Sequence, residues 1–281
     1  MPCQLNPFYS MLLMVCLLMA ENKAVASQPT PLVIKVNPAG FGDASQRDIE
    51  KVLYSAAEQL WVYFPGRQLP PILVEHTGDS PIAKYKRGPN GELRVGLNVR
   101  GRYWAQFAYQ FAHEFTHILS NYERVNAANN PNQWFEEALC ETASMFVIYK
   151  MADQWQTNPP YSNWRDFAPH LKRYADDLRK KAEWQLPART TFAEWYQSHE
   201  AELRKDPVNR AKNGVVALQL LAVLERRPEN WAALGYMHLG KADEAESLAH
   251  FLEAWHAAVP APLKAFVLET ARLFKIEVQP N

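Results

Sequence analysis

The chain has no surplus of charge. Lys and Arg together number 30, and so do Asp and Glu, leaving its 281 residues formally neutral. Without a global basic field there is no electrostatic pull on nucleic acid or on an anionic membrane surface, and neither is expected as a partner. Cysteine is nearly absent. Of three residues, Cys3 and Cys16 fall in an amino-terminal leader and only Cys140 remains. A lone thiol excludes an internal disulfide, so the fold must be held by its core. With 48% hydrophobic and 12% aromatic residues, the material for that core is ample in one or two domains. A membrane-spanning run is missing too. Phe8 to Ala20 is an apolar stretch of thirteen residues with Ser10 its one polar member, too short and too poorly flanked to span a bilayer. Ala24-Val25-Ala26 follows as an A-x-A cleavage site. Residues 1–26 therefore read as a signal peptide, with a mature chain starting near Ser27 and exported to the periplasm or secreted. No Lys or Arg precedes the apolar run, and an uncleaved amino-terminal anchor is the alternative.

What is present centres on His113-Glu114-Phe115-Thr116-His117, an HExxH segment. On a helix, residues four apart share a face about 40° apart, one turn above the other. His113 and His117 can thus close on one Zn²⁺ ion, while Glu114 stands beside it, able to reach a water and positioned as a general base. Such a site needs a third protein ligand and an open fourth position. With eight histidines in the chain, HExxH arises by chance in roughly two of a hundred such sequences, so a second signal matters. It comes at Trp134-Phe135-Glu136-Glu137, where Glu137 is separated from His117 by nineteen residues and followed at i+4 by Glu141. Glu137 is the candidate third ligand and Glu136 its rival. Cys140 lies about 300° round the helix from Glu137, which suggests core packing rather than ligation.

Read in order, residues 27–156 form the metal-binding domain. Leu32 to Val36 reads as a strand, Asp43 as the cap of a helix to Phe64, and Ile72 to His76 as a second strand. Ile82 to Arg87 and Glu92 to Val99 flank Gly88-Pro89-Asn90-Gly91, a hairpin signal. The helix Gly101 to Tyr122 carries an apolar stripe through Phe107, Phe111, Phe115 and Leu119. Phe111 lies about 160° from His113, so core and metal faces are separate. After a polar loop, a second helix from Gln133 or Trp134 to Trp155 has Phe135, Leu139, Thr142, Phe146 and Tyr149 as its core face, with Glu137, Glu141 and Ile148 opposite. Residues 157–281 read as a mainly helical subdomain in which Trp231 to Gly235, Phe251 and Ala254 resemble one tetratricopeptide hairpin, short of an array. The fold class is α+β.

The motif residues over about residues 91–150 resemble the gluzincins, the zinc peptidases of the thermolysin and aminopeptidase-N type. The resemblance implies a zincin-like fold and one Zn²⁺ ion on His113, His117 and Glu137. The aminopeptidase pattern places Trp three before the ligand glutamate, as Trp134 stands to Glu137. The thermolysin pattern places an acid four after it, as Glu141 does, to orient a histidine, His113, by accepting its other N–H. It further implies a peptide or protein substrate held against an edge strand, for which Glu92 to Val99 stands in the expected place. Two parts of the family pattern are missing. No Gly-Ala-Met-Glu-Asn segment is present to grip a substrate amino group, which argues against aminopeptidase activity. Ala211 to Gly214 has no tyrosine where the oxyanion-stabilising residue would stand, leaving Tyr174, Tyr196, His199 and His238 as candidates.

The expectation is a zinc metallopeptidase with Glu114 as general base. The alternatives are a non-catalytic zincin-fold binding protein of the cell envelope, and a helical interaction scaffold in which HExxH is accidental.

Overall fold

The computed structural model describes residues 31–125, 130–239 and 247–278. The signal peptide expected over residues 1–26 lies outside them. The fold is α+β: one four-stranded mixed sheet and a larger set of helices.

The strands are β1 (Ile34–Val36), β2 (Ile72–His76), β3 (Ile82–Lys84) and β4 (Leu93–Leu97), in the spatial order β1-β2-β4-β3. β1, β2 and β4 run parallel, with Ile34 opposite Ile72 and Ile72 opposite Leu93. A parallel pair needs a crossover, and helix α1 (Gln46–Trp61) supplies it between β1 and β2. Ser45, not Asp43, caps α1. Its hydroxyl accepts from the Asp48 amide at 3.1 Å, while Asp43 lies out at the surface, 3.5 Å from Arg102.

β3 turns back through the Gly88–Gly91 turn, where Gly91 takes φ +82°, and pairs antiparallel with β4, Ala83 opposite Val95. This corrects the sequence reading of Glu92 to Val99 as an edge strand. β4 is interior, between β2 and β3, and Leu93, Val95 and Leu97 are buried. The edges are β1 and β3, and on the hairpin side the edge is β3, because the hairpin folds the earlier arm onto the outside of the later one, so chain order is not sheet order.

Seven more α-helices follow: α2 (Trp104–Leu119), α3 (Gln133–Thr157), α4 (Ala168–Arg179), α5 (Phe192–Lys205), α6 (Arg210–Arg226), α7 (Leu248–Ala258) and α8 (Ala261–Leu273). On α2 the expected stripe of Phe107, Phe111, Phe115 and Leu119 is fully buried. α3 departs from its expected two-faced character. It packs against α1, α2, α4 and α6, and Ile148, assigned to the side away from the core, is as buried as Phe135. A helix enclosed on all sides loses its apolar stripe, so alternation along α3 does not tell core from site.

Pro228–Tyr236 is a 3-10 helix. Trp231 is buried in it, and the segment is not the first α-helix of a tetratricopeptide hairpin. One continuous core joins the sheet to α8. Among the described residues no helix is long and apolar enough to cross a membrane.

Candidate metal centre

α2 and α3 pack side by side and carry every residue in which the sequence suggested metal chemistry. Phe111 and Phe115 stack at 5.7 Å on the core side of α2, which turns His113 and His117 towards α3, their rings 5.2 Å apart. The end of α2 is held by Arg67, whose guanidinium donates to the Leu119 carbonyl at 2.6 Å and the Ile118 carbonyl at 3.1 Å. Asn121 then takes the left-handed conformation, φ +66°, and the chain leaves the helix.

The two imidazoles are arranged alike. His113 Nε2 lies 3.1 Å from Glu137 Oε2, and His117 Nε2 lies 3.6 Å from Glu137 Oε1. The opposite nitrogens face other carboxylates: His117 Nδ1 lies 2.9 Å from Glu136 Oε1, and His113 Nδ1 lies 3.5 Å from Glu141 Oε2. An ionised carboxylate only accepts, so Nδ1 carries the proton towards Glu136 and Glu141. With Nδ1 so committed, each Nε2 meets Glu137 either as a protonated donor or, on a neutral imidazole, as a lone pair with a cation between the two. Two lone pairs and a carboxylate facing one another call for a cation between them. Donor atoms about 2.0–2.1 Å from a tetrahedral zinc stand roughly 3.3 Å apart, and 3.1 and 3.6 Å bracket that distance. In donor type the residues gathered here suit a zinc ion, and His113, His117 and Cys140 form a group that could hold a metal.

The chain matches no known protein family, no curated protein and no solved structure. The reading of the site rests on its geometry and chemistry.

Glu136, the rival ligand, is buried behind His117. It accepts from His117 Nδ1, from Ser120 Oγ at 2.5 Å, and from His238 Nε2 at 2.9 Å. Burial alone would raise its carboxyl, but hydrogen bonds from His117 and His238 outweigh this and hold it well below the usual carboxylate range. Glu137 is likewise lowered: burial opposes, and with the imidazoles protonated the hydrogen bond from His113 and the charges of His117 and His113 prevail, a role that a cation seated between the three would take over from those protons. Glu141 accepts from the Tyr109 hydroxyl as well. Burial pushes it up to about 7 against the pull of Arg210 and Lys181. Glu114 is raised by burial, against the charges of His113 and His117 and a hydrogen bond from the Ala83 amide.

Cys140 is where the sequence argument fails. One nitrogen of each imidazole and the Cys140 sulfur lie within 4.8 Å of one another. The angle of 300° is only about 60° short of a full turn, so a residue at i+3 is a neighbour of Glu137, not its opposite. Cys140 is fully buried, and burial pushes its thiol up to about 12. Glu137 lines the cavity and Cys140 does not.

That cavity holds about 690 Å³. Its floor is the His–Glu cluster. One wall is the edge strand with its approach, Ser80 to Ala83, and the facing wall is the start of α6, with Val208, Arg210 and Asn213. Of the four residues considered for oxyanion stabilisation, none lines it. Tyr174 packs edge-on to Tyr109, Tyr196 lies against Trp134 and Phe274, and His199 stacks on Trp195. His238 reaches the centre, but from behind Glu136. Trp134 is a fully buried core residue. The roles of Tyr109 and Ser120 had a sequence signal that went unread, since they sit at i−4 from His113 and i+3 from His117. His238, 102 residues from Glu136, had none.

Proposed function

We propose that the protein is a zinc-dependent peptidase of zincin-like architecture, acting on peptide bonds with Glu114 as general base. One observation carries this reading: both Nε2 atoms of the HExxH histidines face the Glu137 carboxylate while each Nδ1 faces a different buried carboxylate. Structural helix histidines have no need of that division of labour.

His113, His117 and Glu137 would hold the ion. Bound there, zinc supplies Lewis acidity, polarising a carbonyl and making water more acidic. Glu114 comes from the same turn of α2 and lines the same cavity. The Ala83 backbone favours its ionised form, and it lines one cavity with Ala83 and both histidines, so it stands beside the histidines and the edge strand. From there it can take a proton from an attacking water and deliver it to the leaving amine. Among the described residues the outer side of β3 carries no further strand, and an extended peptide can lie along it by strand addition. That assigns to β3 the docking role the resemblance had placed on β4.

The test uses purified protein with zinc and a library of unblocked and blocked peptides. Cleavage should be abolished by a chelator and restored by zinc. Glu114→Gln should keep its zinc and lose nearly all turnover. A Glu114→Gln variant cleaving at the wild-type rate refutes the mechanism, and less than about a tenth of an equivalent of zinc refutes the site. Peptide binding without cleavage by the zinc-loaded protein would establish the alternative, a zincin-fold binding protein.

A further inference from the structure

We infer that His238 is a positioning residue for the metal centre, and that through it the carboxy-terminal half of the chain completes a site whose other parts lie on α2 and α3. This deepens the zinc reading and rests on it.

The argument starts from how Glu136 is satisfied. Its side chain is only 6% exposed, so every oxygen lone pair it turns inward needs a donor. Two donors, His117 Nδ1 and Ser120 Oγ, converge on one oxygen, Oε1. The other, Oε2, is served among the described residues by His238 Nε2 alone, at 2.9 Å. Two bonds to a single oxygen leave the carboxylate free to turn about the bond that carries it. A third bond on the second oxygen fixes its plane. Fixing that plane fixes the acceptor that His117 Nδ1 points to, and hence the direction of His117 Nε2 at Glu137. His238 does not touch the histidine it aims.

Its own placement is over-determined. His238 has φ +58°, a left-handed conformation uncommon for residues other than glycine. Asn121 Nδ2 donates to the carbonyls of Gly235 at 3.0 Å and Met237 at 2.9 Å, immediately before it. Asn121 is in turn gripped by Arg67 at 3.0 Å. The His238 ring meets Phe251 edge-on at 5.7 Å and its side chain is 3% exposed. The same Arg67 closes the carboxy-terminal end of α2. One set of bonds thus registers the helix bearing both histidines against the segment bearing His238. A left-handed backbone held by that many contacts marks a side chain that must stand in one place.

The experiment measures zinc dissociation constants by chelator competition on the full-length wild-type, His238→Ala and His238→Gln proteins, with melting temperatures of the zinc-free forms alongside. His238→Ala should weaken zinc about 10-fold, the low end of the range for losing an outer partner of a metal-ligating histidine, because that partner, Glu136, is itself retained. His238→Gln, whose side-chain amide can donate to the same oxygen, should recover most of that loss even where its zinc-free melting temperature matches that of His238→Ala. Should His238→Ala fail to fold, His238→Asn, too short to reach Oε2, takes its place against His238→Gln. Wild-type affinity in the Ala or Asn variant overturns the inference, as does equal weakening in the Gln and Ala variants. Wild-type protein that binds no zinc overturns the metal reading itself, a distinct outcome.

Discussion

Gly214→Ala should destabilise the protein although alanine is the better helix former. Gly214 lies inside α6, where replacing glycine by alanine ordinarily gains about 1 kcal/mol. An ideal Cβ there would stand 2.3 Å from Cδ2 and Cε2 of Trp184 and 2.4 Å from Cδ1. Non-bonded carbons settle at about 3.5–4.0 Å, so the methyl would overlap three ring atoms by more than 1 Å. Trp184 is 1% exposed and has no route into solvent. Either the ring leaves its pocket or α6 shifts away from the ring. Overpacking of this kind costs about 1–3 kcal/mol. The overlap places this case at the upper end, and subtracting the propensity gain leaves a net loss of about 2 kcal/mol. For chains of this size 1 kcal/mol moves the midpoint by about 2–4 °C, so thermal unfolding should fall by about 4–8 °C. In a Trp184→Ala background the same change should be neutral or stabilising, giving a coupling energy within the range of about 0.5–3 kcal/mol found for contacting pairs. A rise in midpoint for the single Gly214→Ala variant would show that helix propensity dominates and that the packing argument is wrong.

The donor set can be decided by two substitutions. Glu137→Ala should lower zinc affinity by more than the roughly 100-fold upper range for outer partners, while Cys140→Ala should change it by less than about 10-fold; the reverse pattern would move the third ligand to Cys140. Arg210 is the one lysine or arginine on the cavity wall among the described residues, it makes no hydrogen bond or ion pair there, and it stands at the first turn of α6, where the helix dipole adds positive potential. Arg210→Gln should therefore raise KM for peptides with a carboxylate near the cleaved bond and leave amidated, neutral peptides unchanged. Identical effects on both series would reduce Arg210 to a partner of Glu141.

The parts of this molecule that sequence made legible are those decided within one helix. The separation of Phe111 from His113 on α2 follows from 3.6 residues per turn, and the burial of the one and the cavity position of the other follow it. Glu141 beside His113 Nδ1 is also a matter of local spacing once α3 is placed against α2. What was misread needed neighbours. As far as Ile148, α3 has no exposed side because α4 and α6, more than ten residues downstream, enclose it. β3 lies outside β4 because a hairpin reverses their order across the sheet. Glu136 and Glu137 are adjacent and equally plausible as ligands by spacing. Only the packing of α3 on α2 turns one towards both Nε2 atoms and the other towards His117 Nδ1 and Ser120. His238 is positioned by Asn121 and Arg67, two residues with no periodicity to announce them.

The burial of the acids explains why the site takes this form. Glu114, Glu136 and Glu141 are each no more than 4% exposed, and an unpaired carboxylate at such depth is strongly unfavourable. Each must find donors, and the nearest are the groups a metal site also requires. Glu136 is satisfied by His117, Ser120 and His238, and Glu141 by Tyr109 with His113 alongside, while the charges of His113 and His117 and the Ala83 backbone of the edge strand favour the ionised form of Glu114. The bonds that make these acids tolerable in the interior are therefore the bonds that aim two imidazoles and one general base. Glu137 differs. Its partners are the two Nε2 atoms themselves, which are donors only if the imidazoles carry an extra proton each. Of the four carboxylates it is the one whose satisfaction depends on a positive charge arriving from outside the protein, and it is the one that faces the cavity with both histidines beside it.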